Sequence, residues 1–313
     1  MSLLKDLKLK GRVCYNEPLS KHTTFRIGGP ARIWAHAECP EYVKELLDIS
    51  KKDGLRAVLI GEGSNLLASD AGLDIIAVKL EGDLRLFKFS GGKTTCAAGC
   101  SLQRFILGAM DAGCSGLEFM AGIPGTLGGA VKMNAGAGLK GPWISDFINR
   151  LKIMDKKGCV KYISKEEAGF GYRESGLEGF VVLEAELGLK PLKDKQAALE
   201  GYKKFLSQKR EKQELALPSA GCVFKNPKGP KDSAARLIDS CGLKGKSIGR
   251  AMVSRKHANF IVNTGGASFN DVMGLIELIR NEVYKKHEVE LELEIEIIHS
   301  RDSLRSDRGK LSP

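Results

Sequence analysis

The sequence predicts an α+β chain, on three observations: apolar residues at helical spacing lie beside short strands in the first half, two strands flank a polar turn near residue 157, and a strictly alternating segment closes the second half. At 313 residues the chain is long enough for two or three small domains with buried cores. Residues 40–53 form the first expected helix, opened by Pro40, and Arg56-Ala-Val-Leu-Ile60 a buried strand after it. A second helix starts after Ser101 as N-cap, places Leu102, Phe105, Ile106, Ala109 and Met110 on one face and closes at Gly113. Residues 148–163 read as a hairpin with Asp-Lys-Lys-Gly158 at its tip. A basic helix, Ala197–Glu214, follows the polar stretch Lys190–Gln196. A domain boundary is expected near residue 200. The last unit holds a helix from Ser268, with Asp271 completing a capping box. Its final strand, 289–298, sets Val289, Leu291, Leu293, Ile295 and Ile297 on one face and four glutamates on the other. The polar tail 301–313 is expected to be disordered.

Charge and cysteine usage narrow the function classes. The net charge is +11, and residues 201–256 carry 14 Lys and Arg against 4 Asp and Glu. Such a focused field suits a polyanion, either nucleic acid or a ligand bearing phosphates and carboxylates, and otherwise a solvated basic surface. That segment lacks stacking repeats and any recognised nucleic-acid motif, so no nucleic-acid partner is expected. The eight cysteines show no paired C-x-x-C spacing, so no metal site is expected and most read as small buried hydrophobes. No apolar run reaches the length of a membrane span, and the first ten residues lack a signal core. A cytoplasmic monomer with reduced thiols and no membrane contact is expected.

Two glycine-rich loops carry the main functional signal. Gly61-Glu-Gly-Ser-Asn65 follows a strand but has Leu66 where a dinucleotide fingerprint needs its third glycine. Gly91-Gly-Lys-Thr-Thr95 copies the end of a P-loop, yet Phe87 stands where the upstream glycine belongs. The second loop, Ala121-Gly-Ile-Pro-Gly-Thr-Leu-Gly-Gly-Ala130, is followed by Asn134-Ala-Gly-Ala137. Permissive residues around a Pro-Gly turn can aim several backbone N–H groups at one anion. Two such loops together could hold a pyrophosphate from both sides without a helix dipole. Tight packing is the alternative use of either loop.

A set of motifs occurs in order: His22-Thr-Thr-Phe-Arg-Ile-Gly-Gly-Pro-Ala31, the two loops, Phe170-Gly-Tyr-Arg-Glu-Ser175, Gly221-Cys-Val-Phe-Lys-Asn-Pro227 and Ser254-Arg-Lys-His-Ala-Asn-Phe-Ile-Val-Asn263. With them the chain resembles the UDP-N-acetylenolpyruvoylglucosamine reductase family from about residue 15 to residue 300, in its shorter subtype. The resemblance implies an FAD-binding half of two α+β subdomains (1–80 and 81–200) of the vanillyl-alcohol-oxidase type. It also implies a C-terminal α/β substrate-binding domain (201–300). It implies non-covalent FAD on Gly61, Gly63, Ser64 and Asn65, and on Gly122, Ile123, Gly125, Thr126 and Gly129. NADPH would be the hydride donor and a nucleotide sugar bearing an enolpyruvyl group the substrate. Hydride would pass from flavin N5 to the vinyl carbon, leaving charge that spreads into the carboxylate.

By the same resemblance Arg173 would hold that carboxylate, and Cys222 stands where the family has a proton-donating serine. A thiol, with an ordinary pKa of about 8.5, keeps the donor role. Glu294 matches the family's C-terminal catalytic glutamate. The family reads Glu-Pro-Glu-Val-Arg there, whereas this chain reads Glu292-Leu-Glu-Ile-Glu296 and so loses a proline and an arginine. Tyr172, Lys225 and Asn226 would contact substrate, Arg210 and Lys212 would pair with phosphates, and His22 and His257 would be structural hydrogen-bonders. The competing reading is another FAD enzyme of the same fold acting on a different alcohol or sugar, which would need no acid poised over a carbanion.

Overall fold

The computed structural model describes residues 13–90, 93–139, 141–228 and 233–299. The expectations for the first ten residues and for the tail 301–313 lie outside them.

In the first unit Val13–Pro18, Pro30–Ala37, Leu73–Leu80 and Arg56–Leu59 lie side by side in that order. The first pair is antiparallel and the other two are parallel, as a helical crossover requires. That crossover is α1 (Pro40–Lys52), with Pro40 in its first turn and Lys51 and Lys52 in its last, where they complement the helix dipole. Tyr42, Val43, Leu46 and Ile49, three or four apart, are its buried face.

The second unit is a five-stranded antiparallel sheet. Its order is Val160–Ser164, Ile148–Met154, Val181–Leu187, Lys93–Ala97, Phe87–Ser90. The hairpin is where the sequence puts it, and Asp155 Oδ1 caps its turn by accepting from the N–H groups of Lys157 and Cys159. Lys93–Ala97 is a strand, not the helix start that a P-loop would need. α2 (Leu102–Asp111) buries the five apolar residues that its periodicity selects. Ser101 stands at its N-cap without a side-chain cap bond, and Gly113, at φ 77°, ends it. The second glycine loop differs from expectation. It leads into a short helix, α3 (Leu127–Lys132), because the Thr126 hydroxyl caps the N–H of Gly129.

α4 (Lys195–Lys212) starts two residues before the predicted helix, where Asp194 accepts from the N–H groups of Gln196 and Ala197. It runs unbroken across residue 200. Ala198, Leu199 and Tyr202 pack on the core shared by the first two units, and the Tyr202 hydroxyl donates to Gln103 Oε1 at 2.8 Å. The boundary expected near 200 therefore falls inside a helix that belongs with the second unit, and the change of core comes after Lys212.

The third unit packs α5 (Ala234–Ser240) and α6 (Phe269–His287) with a small sheet of Ser247–Ile248, Ala251–Val253 and Ile261–Asn263. Ser268 and Asp271 form the predicted capping box. Its core also takes Phe25 and Ile27 from near the start of the chain and Leu67 from the first unit.

The predicted strand over 289–298 is a strand only at Glu296–Ile298, where it runs parallel to Leu66–Ala68. Before that, the Lys225 N–H donates to Glu292 O and the Glu294 N–H to Val223 O, a narrow bridge too short for a ladder. Leu291 and Ile295 are buried and Glu290, Glu292 and Glu296 exposed, so the alternation holds except at Glu294, which is covered. The expectation that most cysteines are buried is corrected. Of the eight, only Cys96 and Cys100 are buried; Cys159 is exposed and the other five lie between. Among the described residues no helix is long and apolar enough to cross a membrane.

Candidate functional site

The two glycine loops meet. The Ser64 hydroxyl donates to Pro124 O at 3.0 Å, and a methyl group added at Gly61 would stand 2.7 Å from Thr126 Oγ1. Gly63, at φ 63°, is the tightest point of the first loop: a side chain there would strike the His22 carbonyl. Asn65 faces the other way, donating from Nδ2 to Glu294 O at 3.0 Å and accepting at its carbonyl from the Glu296 N–H.

The amide groups of these loops answer whether a pyrophosphate fits. Among the described residues the N–H groups of Gly61, Glu62, Gly63 and Ser64 donate to no protein acceptor, and neither do those of Gly125 and Thr126. Gly63 and Thr126 are buried, so these donors call for an acceptor that the protein does not supply. A diphosphate between the loops matches that requirement. Gly129 sits one turn further on, at α3, with its N–H already taken by Thr126.

Gln103, on α2, was not singled out from the sequence, yet it shapes the second loop. Its amide donates to Met120 O and Ile123 O, while its Oε1 accepts from the Gly122 N–H at 2.9 Å and from Tyr202. A glutamine in the first turn of an amphipathic helix, next to an apolar stripe, was the available signal.

A second cluster lies at the seam between the second and third units. Arg173 has φ 57°, a left-handed conformation that a non-glycine residue adopts only under constraint. The constraint comes from the segment after the second loop. Asn134 Nδ2 donates to Gly171 O, Ser175 Oγ to Lys132 O, and Arg173 Nη2 to Gly136 O at 3.0 Å. So held, Arg173 brings Nε to 2.9 Å from Glu294 Oε1. That separation makes an ion pair, although the Nε–H is not aligned for a linear hydrogen bond, and the buried Nη1 has no partner among the described residues.

Glu294 is drawn in by this contact. Burial raises its carboxyl above the usual carboxylate range, a rise that Arg173 and then Lys225 only partly offset. Cys222 bridges to Phe260 across the backbone and is partly buried. Burial, with the Glu294 charge adding to it, pushes its thiol up to about 12 against the opposing pull of Arg173. Tyr172 stacks under Arg173, with the guanidinium 5.5 Å from its ring, and its hydroxyl accepts from the Asn226 N–H at 3.4 Å. Asn226 Oδ1 in turn accepts from the Ala234 N–H. Lys225 stands at the rim, 3.7 Å from Glu174 and 3.6 Å from Glu292.

The structure thus brings Arg173, Cys222, Glu294, Tyr172, Lys225 and Asn226 together, and links Glu294 through Asn65 to the first loop. Arg210 and Lys212 are not drawn in. Both are exposed at the end of α4, where the Arg210 carbonyl accepts from Lys256 Nζ. Lys209, one residue before, is the α4 cation that turns inward. His22 is a structural group, 3.0 Å from Glu17 and stacked on Trp34 at 3.7 Å between ring centres. His257 packs edge-on to Phe260.

Known proteins share both halves. Residues 31–164 match a profile described as an FAD binding domain, and residues 213–298 match one described as the C-terminal domain of UDP-N-acetylenolpyruvoylglucosamine reductase. The reductase of that name from Bacillus licheniformis is 40% identical over 298 residues, spanning 94% of this chain and 96% of that protein. The one from Bacillus subtilis is 38% identical over 301 residues, 95% and 98% of the two chains. The crystal structure of the reductase from Thermus caldophilus superposes with a TM-score of 0.80 at 36% identity, covering 92% of this chain and all of that one. With near full-length coverage on both sides, the chain belongs to the UDP-N-acetylenolpyruvoylglucosamine reductase family.

Proposed function

We propose that the chain uses FAD to reduce UDP-N-acetylglucosamine enolpyruvate to UDP-N-acetylmuramate, a step of peptidoglycan precursor synthesis, with NADPH as the hydride source. The observation that carries this reading is the joining, through Asn65 and Glu294, of an amide-lined cradle to a buried arginine, thiol and carboxyl. FAD bound between the loops supplies the hydride. Gly61, Gly63, Ser64 and the backbone of Asn65 would hold it from one side, and Gly122, Ile123, Gly125, Thr126 and Gly129 would line the other.

The chain's own groups handle charge and the proton. Hydride addition to the vinyl carbon leaves negative charge that spreads into the substrate carboxylate, and the unpartnered Nη1 of Arg173 is the group to receive it. The carbon beside that carboxylate then needs a proton. The Cys222 thiol, held up at about 12, stays protonated through the neutral range and so keeps a proton ready at Sγ. Glu294 holds Arg173 and adds to the charge that keeps the thiol neutral. Tyr172, Lys225 and Asn226 orient the nucleotide sugar, and Arg210 and Lys212 attract its phosphates from the surface. The division of labour is the first two units, through the end of α4, for FAD and the third unit for substrate, in a cytoplasmic monomer.

An oxidase of the same fold would have no use for a proton held in this way. The reading is tested by NADPH oxidation in the presence of the purified yellow protein. Oxidation should depend on added UDP-N-acetylglucosamine enolpyruvate. A protein that takes up no FAD, or that oxidises NADPH at the same rate without the sugar nucleotide, would sink it.

A further inference from the structure

One cation beside the site has no assigned role and, among the described residues, no ion-pair partner. Lys209 Nζ, on the last turns of α4, is shielded from solvent and has no hydrogen-bond partner among the described residues. Its stem lies along the second glycine loop: a methyl group at Gly122 would stand 3.5 Å from Lys209 Cδ and 2.8 Å from Leu206 Cδ1. Burial, and then repulsion by Arg173, push its ammonium down to about 8. Arg173 also keeps a buried nitrogen without a partner. Arg173 Nε faces Glu294, a carboxyl whose own ionisation is disfavoured by burial. A shielded ammonium without an anion is costly, and a methionine of similar length would fill the same space without that cost.

We propose that Lys209 is an anion ligand of this site, its ammonium binding a phosphate or carboxylate oxygen lodged between the second glycine loop and Arg173. The inference rests on the functional reading above for the identity of the anions at hand. FAD brings a diphosphate to the Gly122 side, and the sugar nucleotide brings a diphosphate and a carboxylate to the Arg173 side. An ammonium in this position would complete whichever anion it meets, and its pKa would return toward the ordinary lysine value on binding.

The test compares Lys209→Met and Lys209→Arg with the wild-type chain in three measurements. FAD release on dilution of the holoenzyme, followed by flavin fluorescence, gives the cofactor affinity. Titration of the oxidised holoenzyme with UDP-N-acetylglucosamine enolpyruvate, followed by flavin absorbance, gives the substrate affinity. Melting of the FAD-stripped chain reports on a purely structural role. Lys209→Met should weaken one or both affinities by roughly tenfold to a hundredfold, the worth of a charge-assisted hydrogen bond, with no drop in the melting temperature of the stripped chain. Lys209→Arg should keep most of the affinity. A loss confined to the dilution measurement assigns the anion to FAD, and one confined to the substrate titration assigns it to the nucleotide sugar. Both affinities staying within about twofold of wild type would overturn the proposal, as would a loss that comes with a lower melting temperature. A wild-type chain that ignores the sugar nucleotide would defeat the functional reading instead, and the FAD measurement would still decide the role of Lys209.

Discussion

The third unit is joined to its two neighbours in different ways. Toward the first unit every joint named here takes at least one backbone group, and one is a strand pair. Glu296–Ile298 pairs with Leu66–Ala68, the Phe269 N–H donates to Asp70, Thr24 donates to Ser219 O, and Asn263 Nδ2 donates to Phe25 O. Phe25 and Ile27 are even part of the third core. Toward the second unit each joint rests on a side chain, two of them meeting a backbone group: Arg173 on Glu294, the Tyr172 hydroxyl under the Asn226 N–H, Lys225 against Glu174, and Lys256 on Arg210 O. The first junction is a scaffold that fixes where the third unit sits. The second holds nearly every group that the proposed chemistry needs. Groups that must rearrange around a ligand are the ones held by side chains, since backbone pairing leaves little freedom to exchange partners.

If the second seam is where the chemistry happens, the largest effect of any single change there should fall on Cys222. Cys222→Ala removes the stored proton while leaving the loops untouched. Reduction of bound FAD by NADPH should proceed at the wild-type rate, and reoxidation by the enolpyruvyl substrate should slow by about 10²–10⁴-fold, the usual contribution of a positioned acid. Stopped-flow absorbance of the flavin separates the two half-reactions. Cys222→Ser should retain measurable reoxidation. Unchanged reoxidation in Cys222→Ala would take the thiol out of the mechanism.

The scaffold seam should respond in stability instead. Asn263 is buried and completes three bonds: it donates to Phe25 O at 3.0 Å and accepts from the N–H groups of Gly265 and Ala267 at 2.9 and 3.0 Å. Asn263→Ala leaves all three backbone groups without that partner, which should cost roughly 2–4 kcal/mol and lower the denaturation midpoint. Turnover measured well below the melting temperature should stay within about twofold of wild type. A large loss of turnover without loss of stability would mean that the two seams do not divide the work.

How much of this was legible in the sequence follows the same division. Elements set by local chemistry were readable: the Pro40 start of α1, the apolar stripe of α2, the hairpin turn at Asp155 and the Ser268–Asp271 capping box all depend on residues within one turn. The glycine loops were readable as loops, but their meeting through Ser64 and Pro124, 60 residues apart, was not. Glu294 and the end of the alternating segment show the limit most clearly. Period two puts Glu294 on the same face as Glu290, Glu292 and Glu296, and only Arg173, arriving from another unit, turns that one position into a buried site. Lys209 was missed for the complementary reason. On a basic helix every lysine has the same claim to the surface, and the one that faces the site is set by how Tyr202 and Leu206 dock α4 against the second loop.

The smallest expected effect is in the pH dependence of stability, and it sharpens the contrast between the rim and the interior of the reactive seam. The Glu294 carboxyl is raised in the folded chain relative to its ordinary value of 4.5, burial outweighing Arg173. A group whose folded pKa is raised stabilises the fold fully below its unfolded pKa. That contribution is lost as pH rises through the folded pKa. Wild-type stability should therefore fall, relative to Glu294→Gln, as pH climbs from the ordinary glutamate range through the raised value, and the gap should be constant above it. Urea denaturation midpoints at a series of pH values measure this. Changing the exposed partners of Lys225 at the rim, Glu174 and Glu292, to glutamine should alter stability by at most about 1 kcal/mol, the worth of a surface ion pair in water. A Glu294→Gln curve parallel to wild type across the whole range would mean that Arg173 cancels the burial of Glu294. The interior of the seam would then be electrostatically no different from its rim.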